Sequence, residues 1–168
     1  MFRFFHCALF SLALSLPLAA QANNAVKIKD FGKWTAYYFI ENGQKVCYMT
    51  SAPVTDAGNY TQRGQIAAFI THWPSKTSKD VFSYVAGYTY KKDSDVTITV
   101  GGQKFSLFTQ GEMAWASDEA TDKRLISAIK RGSNMIVKGT SSRGTLTTDT
   151  YSLDGSTAAY NAITAACK

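Results

Sequence analysis

The chain predicts a mainly β fold, a β-sandwich with two short helices at about residues 118–131 and 157–167. Three observations carry this expectation. Short runs of alternating apolar and polar residues recur along most of the chain. Glycine- and asparagine-centred turns separate them, and helical periodicity is confined to two stretches. No internal repeat, low-complexity tract or linker divides the sequence, so it reads as one domain.

Taken in order, residues 33–40 and 46–52 flank Glu41-Asn42-Gly43-Gln44, and Asn-Gly is the strongest short hairpin signal. Residues 53–63 read as a polar loop. Residues 64–73 place Ile66, Ala68, Ile70 and His72 on one face, and Pro74 stops the run. Residues 81–90 form an aromatic-rich, strand-like stretch. In residues 96–100, Val96, Ile98 and Val100 point inward while Thr97 and Thr99 point outward, and Gly101-Gly102 turns the chain into residues 103–109. Residues 134–140 and 146–153 pair around Ser141-Ser142-Arg143-Gly144.

The first helix has Ser117 or Asp118 as its cap. Asp118, Glu119 and Asp122 suit its N-terminus, Leu125, Ile126 and Ile129 form its apolar stripe, and Lys130-Arg131-Gly132 ends it. The second helix is alanine-rich. It places Ala159, Ile163 and Cys167 on one face, four residues apart.

The N-terminus has the layout of a secretory signal peptide. Met1-Phe2-Arg3 gives a positive start, residues 4–18 are largely apolar, and Ala20-Gln21-Ala22 is a small-x-small cleavage pattern. The apolar run falls short of the roughly 20 residues that span a bilayer. Cleavage after Ala22 is expected, leaving residues 23–168 as a single exported domain, periplasmic or associated with the outer envelope, without a transmembrane segment.

That cut filters the chemistry. The net charge of +6 falls by one with Arg3, and the remaining basic residues are scattered rather than striped, so nucleic acid is not an expected partner. Of three cysteines Cys7 leaves, and Cys47 and Cys167 are expected to form one disulfide in an oxidising compartment. His72 is then the one histidine. With the thiols oxidised and no Gly-x-Ser-x-Gly elbow, neither a metal site nor a cofactor is expected. Asp149 lies within a strand pattern and wants a cationic partner, for which Arg143 or Lys138 are candidates. Tyr84, Tyr88 and Tyr90 with Lys91 and Lys92 are the candidate binding residues, an aromatic–basic patch on one strand face.

Several segments together resemble a known family. They are Arg63-Gly64, then Ala68-Phe69-Ile70-Thr71-His72-Trp73-Pro74, Gly87-Tyr88-Thr89-Tyr90-Lys91 and Ala114-Trp115-Ala116-Ser117-Asp118. Lys138-Gly139-Thr140-Ser141-Ser142-Arg143-Gly144-Thr145 follows, running on to Thr148-Asp149-Thr150-Tyr151 and the C-terminal Cys167. From about Phe31 to Cys167 the chain resembles the invasion-associated locus B family of exported bacterial proteins. The resemblance implies an immunoglobulin-like sandwich and an envelope protein linked in some pathogens to host-cell entry. It carries over no catalytic mechanism. Many members have an acid before the tryptophan and a cysteine shortly after it. Here Lys33-Trp34 is followed by Tyr37-Tyr38, so a second disulfide near the first hairpin is not implied.

The leading expectation is a non-enzymatic module that binds a protein or glycan partner at the envelope or cell surface. The alternative is an envelope hydrolase using His72 with a nearby serine or acid.

Overall fold

The computed structural model describes residues 25–73 and 80–168, so the expected signal peptide and Pro74 lie outside the described residues. Among the described residues there are eleven antiparallel strands and two helices, and most of the strands follow the alternation of the sequence. The first five strands are β1 (Val26–Phe31), β2 (Trp34–Glu41), β3 (Gln44–Ser51), β4 (Thr55–Gly58) and β5 (Ala67–His72). Next come β6 (Val81–Val85), β7 (Val96–Val100), β8 (Gln103–Gln110) and β9 (Met113–Trp115). Helix α1 (Glu119–Arg131), β10 (Asn134–Thr140), β11 (Leu146–Ser152) and α2 (Ser156–Ala166) complete the chain.

The strands run β1-β2-β3-β5-β6-β9-β8-β7-β10-β11-β4. This continuous ladder makes a sandwich because β8 serves both layers. Its N-terminal part, Gln103 to Leu107, pairs with β7, and its last residues, Phe108 to Gln110, pair with β9. Strand pairing therefore turns the corner along one edge. The inner faces meet through Trp34, whose Nε1 donates to the Ser152 carbonyl at 3.1 Å, and through Tyr84 and Tyr151, edge to face at 6.2 Å. Trp34, Tyr84 and Tyr151 are all buried. The first layer's outer side carries aromatic residues, among them the stacked Tyr37 and Tyr48.

The expected hairpin at Asn42-Gly43 forms with both residues at positive φ, 50° and 77°, as the tightest two-residue turn requires. Asp118 caps α1, its Oδ1 accepting from the Thr121 N–H at 2.7 Å, and Leu125, Ile126 and Ile129 are buried as the stripe predicts. Helix α1 packs on β6, β7 and β8, hence on both layers, while α2 packs on β1, β2, β3, β5 and α1. The helices close one end of the sandwich. Cys47 and Cys167 form the expected disulfide, tying β3 to the residue that ends α2, 120 positions away.

Two expectations are corrected. The polar loop 53–63 contains β4, which pairs with β11 through Thr55 to Gly58. Its four residues are all exposed, so it has no apolar alternation to reveal it. The strand-like stretch 81–90 stops at Val85, where Gly87 turns the chain at φ 71°. Tyr88 and Tyr90 therefore share no strand with Tyr84. β1, with five exposed residues of six, also lacked the alternation of a half-buried strand.

Candidate functional site

At the end of the sandwich opposite the helices, three connections converge: the one leading from β4 into β5, the one leaving β6, and the β10–β11 turn. They enclose a cleft of about 790 Å³. The floor is an ion pair. Asp149, buried in β11, accepts from Arg63 Nη1 at 2.6 Å and Nη2 at 2.7 Å, a bidentate pairing. Arg63 Nε donates to the Ala86 carbonyl at 2.7 Å, and the Tyr84 hydroxyl donates to Asp149 Oδ2.

The two side chains are 4% and 1% exposed, so each charge depends on the other. Burial disfavours the Arg63 charge, but the hydrogen bonds and charge of Asp149 outweigh it and hold the guanidinium pKa above its ordinary value. Burial first, with the Tyr151 and Asp149 neighbours, keeps the Tyr84 phenol far above its usual range, so it acts only as a neutral donor.

The pair organises the wall above it. The Arg63 guanidinium lies 5.0 Å from the Tyr88 ring and 5.5 Å from the Tyr60 ring. The Tyr88 hydroxyl bonds the Thr147 hydroxyl at 2.7 Å, and Gly64 N–H donates to the Gly87 carbonyl at 2.8 Å. A Cβ at Gly87 would come within 2.5 Å of the Gly64 carbonyl oxygen, so glycine is needed for both its φ and this crossing. Around the rim, Asn59, Gln62, Ser142, Arg143 and Thr145 have no side-chain hydrogen bond among the described residues. The cleft thus pairs a rigid, internally neutralised floor with polar groups free to meet a ligand.

The candidate binding residues scatter. Tyr84 is in the core at 1% exposure and Tyr90 is 5% exposed, so neither presents a surface to a partner. Tyr88 alone of the five lines the cleft. Lys91 and Lys92 are exposed on the following turn and do not line it. The partner of Asp149 is Arg63, not Arg143 or Lys138, and Arg143 is instead the exposed cation of the cleft. The need of a strand acid for a cation was a usable signal. Which arginine answers it depends on a contact 86 positions apart in sequence.

His72 lies at the other end. Its Nδ1 is 2.8 Å from Asp80 Oδ1, without the alignment of a hydrogen bond, and its Nε2 is 3.1 Å from the Thr164 hydroxyl of α2. The Thr164 hydroxyl donates its proton to the Tyr160 carbonyl at 2.9 Å, which leaves Thr164 Oγ1 to accept from His72 Nε2. The ring is buried edge-on to Tyr160. The Tyr160 hydroxyl donates to Asp80 at 2.9 Å, and this contact, the His72 contact foremost, holds the Asp80 carboxyl below its ordinary range against burial. Among the described residues no helix is long and apolar enough to cross a membrane, and no group of three or more His, Cys, Asp or Glu residues could hold a metal ion.

Comparison with known proteins agrees with this architecture. No curated protein matches the chain. The crystal structure of invasion associated protein B from Bartonella henselae is similar in fold, with a TM-score of 0.62 at 16% identity. The match covers 84% of this chain and 96% of that one. The family model for the invasion associated locus B (IalB) protein matches residues 34–164, from the core tryptophan of β2 to the last turn of α2. The chain belongs to the invasion associated locus B family.

Proposed function

We propose that this chain is an exported, non-enzymatic binding module of the cell envelope, periplasmic or at the outer surface, and that it engages its partner at the cleft between β4, β6 and the β10–β11 turn. The observation that carries this is the contrast within the cleft. Every charge of the floor is neutralised internally, while the rim holds amide, hydroxyl and guanidinium groups without a partner among the described residues. A binding site needs such uncommitted groups on a rigid support. The signal-peptide pattern and the family support export, and the family's name supports a part in host-cell invasion.

Photo-crosslinking in intact cells tests the reading. A photoreactive residue at Ser142 should give adducts that excess unlabelled protein competes away, and one at Thr99, on the outer face of β7, should give none. Absence of adducts at Ser142, or equal labelling at both positions, overturns it. Fractionation of cells making a C-terminally tagged chain tests export: the tag should appear in the periplasmic or outer-envelope fraction with residues 1–22 removed.

A further inference from the structure

The chemistry of the cleft specifies a ligand class more narrowly than a protein or glycan. We propose that it binds an acidic saccharide, with Arg143 as the cation that selects the negative charge. The inference rests on the cleft being the binding site.

Three observations carry it. First, the lining contains no aliphatic side chain and no carboxylate. The cleft therefore lacks the aliphatic side chains that fill the core of many protein interfaces. Its apolar surface is aromatic, from Tyr60 and Tyr88, and aromatic rings beside polar groups suit a ring that is apolar on its faces and hydroxylated at its edge.

Second, the polar groups are of the right kind. Asn59 and Gln62 each offer a donor and an acceptor, and the Ser142 and Thr145 hydroxyls can do either, all without an internal side-chain partner among the described residues. Such groups match sugar hydroxyls, which also donate and accept.

Third, the cleft has one cation to spare. Nε, Nη1 and Nη2 of Arg63 are committed to Ala86 and Asp149, so Arg63 has no free charge. Arg143 is exposed on the rim with no partner, and its planar guanidinium pairs bidentately with carboxylate, sulfate or phosphate. No carboxylate lines the cleft, and the neighbouring Asp56 accepts the Tyr60 hydroxyl.

Titration calorimetry of the mature chain at low salt tests this with five probes: a heparin-derived tetrasaccharide, a trigalacturonic acid, neutral maltotriose, a hexaglutamate peptide and inorganic sulfate. One of the acidic sugars should bind at least tenfold more tightly than maltotriose. Whichever of the two wins distinguishes a sulfated from a carboxylated source. Arg143→Ala should weaken that sugar about tenfold, the loss of one charge-assisted contact, with the melting temperature unchanged because the side chain is exposed. Tyr88→Leu should weaken both the acidic and the neutral sugar.

Equal affinity for maltotriose, an unaffected Arg143→Ala variant, tighter binding of hexaglutamate, or binding of sulfate as tight as of the sugars would each overturn the proposal. If no sugar binds while the Ser142 crosslink persists, the ligand class falls and the binding site stands. If both fail, both readings fall together.

Discussion

The two ends of the sandwich each set an acid against a basic side chain, and they use that pairing differently. At the cleft end Asp149 meets Arg63 through two parallel hydrogen bonds, deep between the layers, and the guanidinium keeps its charge at any physiological pH. At the helical end the partly exposed Asp80 meets the buried imidazole of His72, at the site where α2 covers β5. The first pairing gives a rigid floor on which the rim residues can face outward. The second fastens the end of the chain, beside the Cys47–Cys167 disulfide, since Cys47 lies opposite His72 in the β3–β5 register. One kind of contact thus serves display at one end and closure at the other, and the difference lies in what packs above it.

The largest expected effect tests the floor. Asp149→Ala leaves the Arg63 charge buried and unpaired, so urea unfolding should show a loss of about 3–5 kcal/mol. A loss below about 1 kcal/mol would show that the pair does not anchor the cleft. Next in size is the staple. Replacing both Cys47 and Cys167 with serine should cost about 2–4 kcal/mol. Amide hydrogen exchange should then speed up in α2 more than in β10, and uniform acceleration would remove the distinction between the ends.

Two acids at the helical end give opposite pH signatures. Asp80 is held below its ordinary 3.8, so it stabilises the fold above that value and the contribution is lost as pH falls through the lower folded value. Asp122 is the reverse case. Burial foremost pushes its carboxyl up to about 6, while the Phe82 N–H, 2.9 Å from its Oδ1, acts to lower it. The folded state therefore holds this proton more tightly, and ionisation costs stability as pH rises from about 4 to 6. Asp122→Asn, which keeps the acceptor for Phe82, should raise the melting temperature relative to the native chain at pH 8, with the gap closing below pH 4. A gap that does not change with pH would refute the assignment.

The smallest effect concerns Tyr90, whose buried hydroxyl has no hydrogen-bond partner among the described residues. Tyr90→Phe should leave stability unchanged or slightly raised, because it removes an unsatisfied polar group. It should leave crosslinking at Ser142 intact, and loss of that crosslink would return Tyr90 to the binding surface.

Much of the fold was legible because local rules and the tertiary structure agree. The Asn42-Gly43 turn, the alternation of Val96, Ile98 and Val100, the Asp118 cap and the Ala159–Ile163–Cys167 face all took their expected places. The edge strands β1 and β4 were not legible. They bury little, so nothing but a neighbouring strand's unpaired backbone marks them as strands. The candidate patch failed for a related reason. Tyr84, Tyr88 and Tyr90 have the spacing of one strand face, but Gly87 breaks the strand after Tyr84. The Tyr88 and Tyr90 rings meet edge to face, yet Tyr84 and Tyr90 are buried and only Tyr88 of the three reaches the cleft.

The sequence by itself determined the family, the β-rich class, the two helices and the pairing of the cysteines, because periodicity, caps and residue counts are local or compositional properties. The tertiary structure decided that Arg63 neutralises Asp149, that Arg143 is left free, and that His72 closes the helical end rather than opening onto the cleft. Those outcomes depend on contacts between residues many tens of positions apart, and a buried charge takes whichever partner the packed layers bring within reach.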